Sequence, residues 1–407
     1  MNKIFINVNG LQQIRTKKIS FKGETKDMPV YRIPIEYLYY NDMNGRIATF
    51  ISQYKTENKN LTKLDNERYN DLIGAFIKDS NSHKRFNKTK EDIRLNTQKE
   101  GGVVLTDGRI IDGNRRFACL RELYAETGDS KFAYFEAIVL PTPADDDDFG
   151  WKEINSLELE LQIGTDEKVD YSPIDWLVKV YQDIVKGKYY KEKEYARLTK
   201  YSESDVKKMV IKAEIMEDFL EFFNKPEQFF YAKRLELDGP LTELVKVRRK
   251  LSQSEWDENK VPFYVYLRQQ NKGDKSREIR NMVKLLGTPQ FDKILNDASP
   301  LANDILSGKY QSNVEAYKTS LVNSKEPIKN PMLNYSFNTT RQNAVRDNQM
   351  KSAMLKPITC CEDALKKLND IDNDIIKRWK DESTKDDYKN LLNDLATKIE
   401  ELKKHVS

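Results

Sequence analysis

Asp112-Gly113-Asn114-Arg115-Arg116 sets a glycine and two arginines where a strand-type run gives way to a helical one. Glycine there lets the backbone take a positive φ and lets a ligand come close. A helix starting near Asn114 or Arg115 presents unpaired N–H groups and the positive end of its dipole. Two guanidinium forks at that end suit phosphate oxygens. Arginines at a helix N-terminus oppose the dipole unless an anion sits there, so the constellation reads as a phosphate cradle. The plainer alternative is that Asp112 caps the helix and both arginines are solvated. Asn44-Gly45-Arg46-Ile47 reads by itself as an Asn-Gly turn before a helix.

The surrounding pattern supplies the elements that must hold this turn. Val103–Thr106 and Arg109–Asp112 are β-type runs flanking Asp107-Gly108, which predicts a hairpin with a type I′ turn. Arg116–Tyr124 is predicted helical, with Phe117, Leu120 and Leu123 on one face, and Tyr134–Leu140 is a strand ended by Pro141. Upstream, Ile4–Val8, Val30–Ile35 and Ile35–Tyr40 read as strands, Glu67–Lys78 as a helix and Ser80–Lys88 as a polar loop. Asp145–Asp148 reads as a solvated linker. From Trp151 to about Leu306 the pattern is helical. Asn323–Lys356, rich in Asn, Ser, Lys and Pro, reads as a loop or linker. In the last helix, Tyr388, Leu392, Leu395, Ile399 and Leu402 form a short a/d seam, read either as packing on its own domain or as a homodimer contact.

Composition narrows the field. A chain of 407 residues is too long for one ordinary core. With 17 Phe and 21 Tyr it can still fill several modest ones. The net charge of +4 is a near balance of 69 basic and 65 acidic side chains, so any DNA contact must come from a local patch. Two histidines and three scattered cysteines leave few ligands for zinc and argue against a Ser-His-Asp triad. The cysteine usage suits a reducing cytoplasm. The absence of a long apolar run argues against a membrane span, and MNKIFINVNG lacks the apolar stretch of a secretory signal.

Tyr195–Met209 fits a helix-turn-helix. Ala196 sits at the close crossing, Val206 and Met209 at buried spacing, and Ser202 or Ser204 at the second N-cap. The exposed side would carry Lys207, Lys208 and Lys212 as DNA contacts, with Glu203 and Asp205 opposing them. An ordinary helical hairpin is the competing reading.

The stretch GGVVLTDGRIIDGNRRFACLREL resembles the N-terminal domain of ParB-like partition proteins, within the ParB/sulfiredoxin superfamily. Gly113, Arg115 and Arg116 fall on that family's Gly-x-Arg-Arg box, with Asn114 in the variable slot. The resemblance implies binding of a nucleoside triphosphate, CTP or another, and no sulfiredoxin cysteine stands at the box. Arg46 falls in a segment that, by the same resemblance, helps surround the nucleotide. Leu157–Gln162 occupies the place of a helix that supplies Mg²⁺ contacts, making Glu158 and Glu160 metal or catalytic candidates. The usual Asn and Arg of that helix are missing. Tyr171-Ser172-Pro173-Ile174-Asp175 resembles the start of the following helix.

The expected fold class is thus an α+β ParB/sulfiredoxin-like domain followed by a mostly α-helical, multidomain remainder. Its expected parts are 1–145 (nucleotide-binding), 150–235 (helix-turn-helix candidate), 236–322 (helical), 323–356 (linker) and 357–407 (C-terminal helices). Three functions compete: a nucleotide-gated DNA-binding protein in plasmid or phage maintenance or defence, a ParB-fold nuclease or Mg²⁺-dependent NTPase, and a non-catalytic nucleotide sensor or interaction subunit.

Overall fold

The computed structural model describes residues 5–21, 24–57, 60–80, 83–142, 148–163, 171–199, 201–269, 273–307 and 335–406. Residues 1–342 form one compact unit and 343–407 a second.

The first unit is built on a six-stranded mixed sheet of order β1-β2-β6-β4-β5-β3. The strands are β1 (Gln12–Phe21), β2 (Glu24–Pro34), β3 (Tyr39–Tyr40), β4 (Gly102–Leu105), β5 (Arg109–Asp112) and β6 (Tyr134–Leu140). β4 runs parallel to β6 and β3 parallel to β5, and the other pairings are antiparallel. All four residues of β4 are buried, as expected for a strand covered on both faces.

The pleat sends alternate side chains to different cores. Val104, Ile110 and Phe135 join Tyr40, Tyr69, Phe76, Phe86 and Phe117 on one face. That face is covered by α1 (Ala48–Thr56), α2 (Asn66–Ser80), α3 (His83–Asn96) and α4 (Asn114–Thr127). Val103, Leu105, Ile111, Ile138 and Leu140 join Ile154 and Leu157 on the other. Those last two belong to α5 (Asp148–Ile163), so a helix placed by sequence beyond the 145–150 boundary closes the second face of the sheet. The helical series continues with α6 (Pro173–Val180), a π-helical turn (Tyr181–Lys186), α7 (Glu192–Thr199), α8 (Glu203–Phe222), α9 (Phe229–Arg234) and α10 (Asp238–Arg248). It ends the unit with α11 (Gln253–Asn259), α12 (Val261–Arg268), α13 (Lys275–Val283), α14 (Pro289–Leu306) and the start of a helix over Tyr335–Asn369.

Several expectations need correction. The 107–108 hairpin forms, but only Gly108 of the pair has positive φ (89°), and its N–H bonds Leu105 O at 3.0 Å. A type I′ turn needs positive φ at both central residues, so the connection is a three-residue turn followed by an irregular register. The loop expected over Ser80–Lys88 gives way to α3 from His83. Phe86 and Ile93, seven residues apart, are buried, and that sparse stripe outweighs the polar composition. Of Ile4–Val8, Phe5–Asn7 have no regular structure; Ile6 N–H bonds Thr106 O at 2.7 Å without joining a ladder. Ile35–Tyr37 is a 3₁₀ turn, leaving only Tyr39–Tyr40 as strand. The edge strand β1 was hidden by its polar, lysine-bearing sequence. The linker expected over 323–356 is helical from Tyr335, while 323–334 lie outside the described residues. Phe337 and Arg341, one turn apart and buried, anchor that start; Arg341 pairs with Glu278 and lies 4.7 Å from the Tyr266 ring centroid.

Because α5 completes the sheet's second core, Leu157→Ala should lower the stability of the whole α/β layer. The expected loss is roughly 2–5 kcal/mol by urea denaturation. A loss confined to the helical signal, with the sheet's transition unmoved, would refute this coupling.

Candidate functional site

α4 begins at Asn114, directly after Gly113, whose φ is 100°. A Cβ at Gly113 would lie 2.7 Å from Phe135 Cζ, so the turn needs glycine for both its conformation and its space. Asp112 does not cap the helix, and no side chain does. Instead Asp112 Oδ2 accepts from Arg116 Nη2 at 2.8 Å. Arg116 Nη1 donates to Glu100 O at 2.5 Å. Arg116 thus clasps the turn to the approach of β4, and its guanidinium is largely committed.

Arg115 is placed differently. Its Nε is buried with no hydrogen-bond partner, and so are Arg46 Nε and Asn114 Oδ1. Burial lowers the Arg115 pKa first, and the field of Arg46, with smaller contributions from Arg85 and Arg116, lowers it further. Four arginines from three elements, the 45–47 turn, α3 and α4, therefore act on one locality. Arg85, on α3, escaped sequence reading because its segment read as a loop.

Arg46 comes in on a 3₁₀ turn over Gly45–Ile47, where Asn44 Oδ1 accepts Arg46 N–H at 3.0 Å. Its guanidinium lies over the Tyr171 ring, 5.1 Å from the centroid. Buried Cys119, one helical turn after Arg115, has its thiol pushed up to about 12 by burial first and then by Glu122. A neutral thiol in that place is a packing group, not a nucleophile.

Glu158 and Glu160 do not converge. Two residues apart on α5, they stand about 200° apart around the helix. Glu158 is buried and raises the Tyr171 pKa, after burial itself, while Arg46 lowers it. Glu160 is half-buried with its own pKa raised by burial and partly restored by Arg197. Among the described residues no group of three His, Cys, Asp or Glu side chains is arranged to hold a metal ion. The pair therefore does not fit a shared Mg²⁺ site.

The helix-turn-helix residues are partly as expected. Ala196 and Val206 are buried together, Met209 packs against them, and Ser202 Oγ accepts Asp205 N–H at 3.1 Å as the N-cap of α8. Lys207 and Lys208 are exposed and paired within the helix to Glu203 (2.6 Å) and Asp205 (2.9 Å). Lys212 is a correction: its side chain is only 13% exposed and bonds Asp238 of α10, so it does not share their surface.

Sequence reading also missed a cavity of about 680 Å³ between the Asn44 turn, α1 and the helical layer. Its wall includes Asn155, Lys179 and Asp183, where buried Lys179 donates to Asn155 Oδ1 and to Asp183 Oδ1 (3.1 Å). The two layers are clasped beside it by buried Asp175, which accepts from Thr49 Oγ1 (2.7 Å) and Lys233 Nζ (2.8 Å).

No protein-family model and no curated protein matches this chain. Among the described residues no helix is long and apolar enough to cross a membrane.

One buried acid near the cavity titrates near neutrality. Glu217 accepts Glu227 N–H at 2.8 Å, and Glu227 lines the cavity. Burial raises its pKa, the Glu227 N–H offsets part of the rise, and the charges of Glu221 and Glu227 add to it, leaving it at about 7. The folded-state pKa exceeds the unfolded one, so its stabilisation is complete below about 4.5 and is lost as pH rises through about 7. Glu217→Gln should flatten that part of the stability-versus-pH curve, leaving the variant the more stable at pH about 8. Parallel thermal melts of both proteins across pH 4–8 would reveal no difference in slope if the assignment is wrong.

Proposed function

We propose that the chain is a ParB-like nucleotide-binding protein whose nucleotide phosphates sit between Arg46 and Arg115 at the N-terminus of α4. One observation carries the reading: Arg46 Nε and Arg115 Nε are buried donors without partners, Arg115 in the first turn of a helix that no side chain caps. Buried donors left unpaired cost roughly 1–3 kcal/mol each, more when charged, so a structure retains them where a ligand completes them. The fields of Arg46, Arg85 and Arg116 all disfavour the charge on Arg115, and a bound anion beside it would offset them. A nucleoside triphosphate, CTP or another, supplies several phosphate oxygens at once, which suits donors arriving from separate elements.

Mg²⁺ would accompany the phosphates, with Glu158, which shares Tyr171 with Arg46, as its candidate protein ligand. Glu160 has no part in this reading.

Calorimetric titration with CTP, ATP and GTP in Mg²⁺ tests it. One nucleotide should bind, and Arg115→Ala should weaken it at least about tenfold, the loss of a charge-assisted hydrogen bond. Arg116→Ala should chiefly lower thermal stability by opening the Asp112 clasp. Unchanged affinity in Arg115→Ala would sink the proposal.

DNA contact through α7–α8 is a second reading, favoured by the N-cap at Ser202 and the exposure of Lys207 and Lys208. Phosphates would have to displace Glu203 and Asp205 from those lysines. Lys207→Ala/Lys208→Ala should weaken DNA binding and reduce its salt slope by roughly one to two. An identical slope in the double variant would remove α8 from any DNA interface.

A further inference from the structure

From Arg346 to Val406 no residue is buried. This stretch still carries Met350, Met354, Ile358, Leu365 and Leu368 on one helix, all exposed. The last helix, Glu382–Lys403, adds Leu392, Leu395, Ile399 and Leu402, each 36–47% exposed, in line with Tyr388. Chain that buries no core gains little from folding alone, because most helical stability comes from covering an apolar stripe.

What covers the stripe is decided by its flanks. With Leu392 and Ile399 at a and Tyr388, Leu395 and Leu402 at d, the e positions are Lys389, Ala396 and Lys403, and the g positions include Leu391 and Lys398. Every charged flank of the Tyr388–Leu402 seam is a lysine; the acid at the remaining e position, Glu382, opens the helix ahead of the seam and pairs with Lys385 (2.6 Å). The acids Asp386, Asp387, Asp394, Glu400 and Glu401 fall at b and c, away from the seam, where Glu400 and Glu401 pair with Lys403 (2.7 Å) and Lys398 (2.9 Å). In a parallel pair of copies the g residue of one helix faces the e residue of the next heptad, which sets Lys398 against Lys403. Antiparallel pairing sets e against e and g against g, again lysine against lysine.

We propose that this seam docks an amphipathic helix of another protein, apolar at a and d and flanked by Glu or Asp at e and g. The seam from Tyr388 to Leu402 offers about 22 Å of helix, two heptads, for that contact. Exposed intrahelical pairs such as Lys398–Glu401 contribute little and yield readily to a partner carboxylate. The inference rests on residues remote in sequence from the arginine cluster and is independent of the nucleotide reading.

The test uses the full chain and a synthetic helical peptide of about four heptads with Leu at a and d and Glu at e and g. Sedimentation velocity should find the chain monomeric alone and bound one-to-one with the peptide, with affinity falling as salt rises. Leu395→Asp/Ile399→Asp should abolish binding. Lys398→Glu/Lys403→Glu keeps the apolar seam, so it should weaken the Glu-flanked peptide about tenfold and turn preference toward a Lys-flanked one. A self-dimer that Ile399→Asp returns to monomer would assign the seam to a second copy and overturn the proposal. So would failure of the acidic peptide to bind, or equal binding of both peptides.

Discussion

β4 is buried on both faces beside the Ala137–Leu140 stretch of β6, and the rest of the first unit follows from that constraint. Side chains alternate across the pleat, so Val104 and Ile110 demand cover on one side while Val103, Leu105 and Ile111 demand it on the other. α2, α3 and α4 supply the first layer. α5 must supply the second, which brings the helical series onto the sheet. Tyr171 thereby reaches Arg46, and Asp175 reaches Thr49 and Lys233. The arginine locality is a product of this double cover, because Arg46 is backed by an aromatic ring from the helical layer.

Charge is distributed unequally around the turn. Arg116 satisfies itself on Asp112 and the Glu100 carbonyl and so holds the geometry. Arg115 and Arg46 keep buried nitrogens unpaired, and no carboxylate is prominent in the field acting on Arg115. Neighbouring arginines thus differ, one closing the turn and one keeping a buried Nε unpaired. Partly satisfied buried polar groups of this kind carry a standing cost that a packed core alone would not retain.

The second unit obeys a different rule. From Arg346 on it has helices without a buried residue, amphipathic and solvated, with lysines flanking the terminal seam. Its polar outward face, rich in intrahelical pairs, is what an isolated helix needs in water. Its apolar stripe is what a partner needs.

Much of the fold was legible in the residues themselves. The 103–112 hairpin, the helix after Gly113, the strand Tyr134–Leu140 and the helical stretch from Trp151 all have strong local signals, because turn chemistry and apolar period act over a few residues. The glycine at the turn and the cationic character of the site were local facts as well. Other features depended on chain brought from afar. α3 is held by two aromatic and aliphatic anchors, and the helix from Tyr335 by Phe337 and Arg341, contacts whose partners lie elsewhere in sequence. Arg115 and Arg116 are adjacent and chemically alike; beyond the i,i+4 spacing of Asp112 to Arg116, it is Glu100 and the arriving Arg46 that tell them apart. The separation of Glu158 from Glu160, the retirement of Lys212 onto Asp238 and the Lys179 cavity are of the same kind. Residue type determined which groups could meet an anion, and burial against distant elements decided which of them were left to do so.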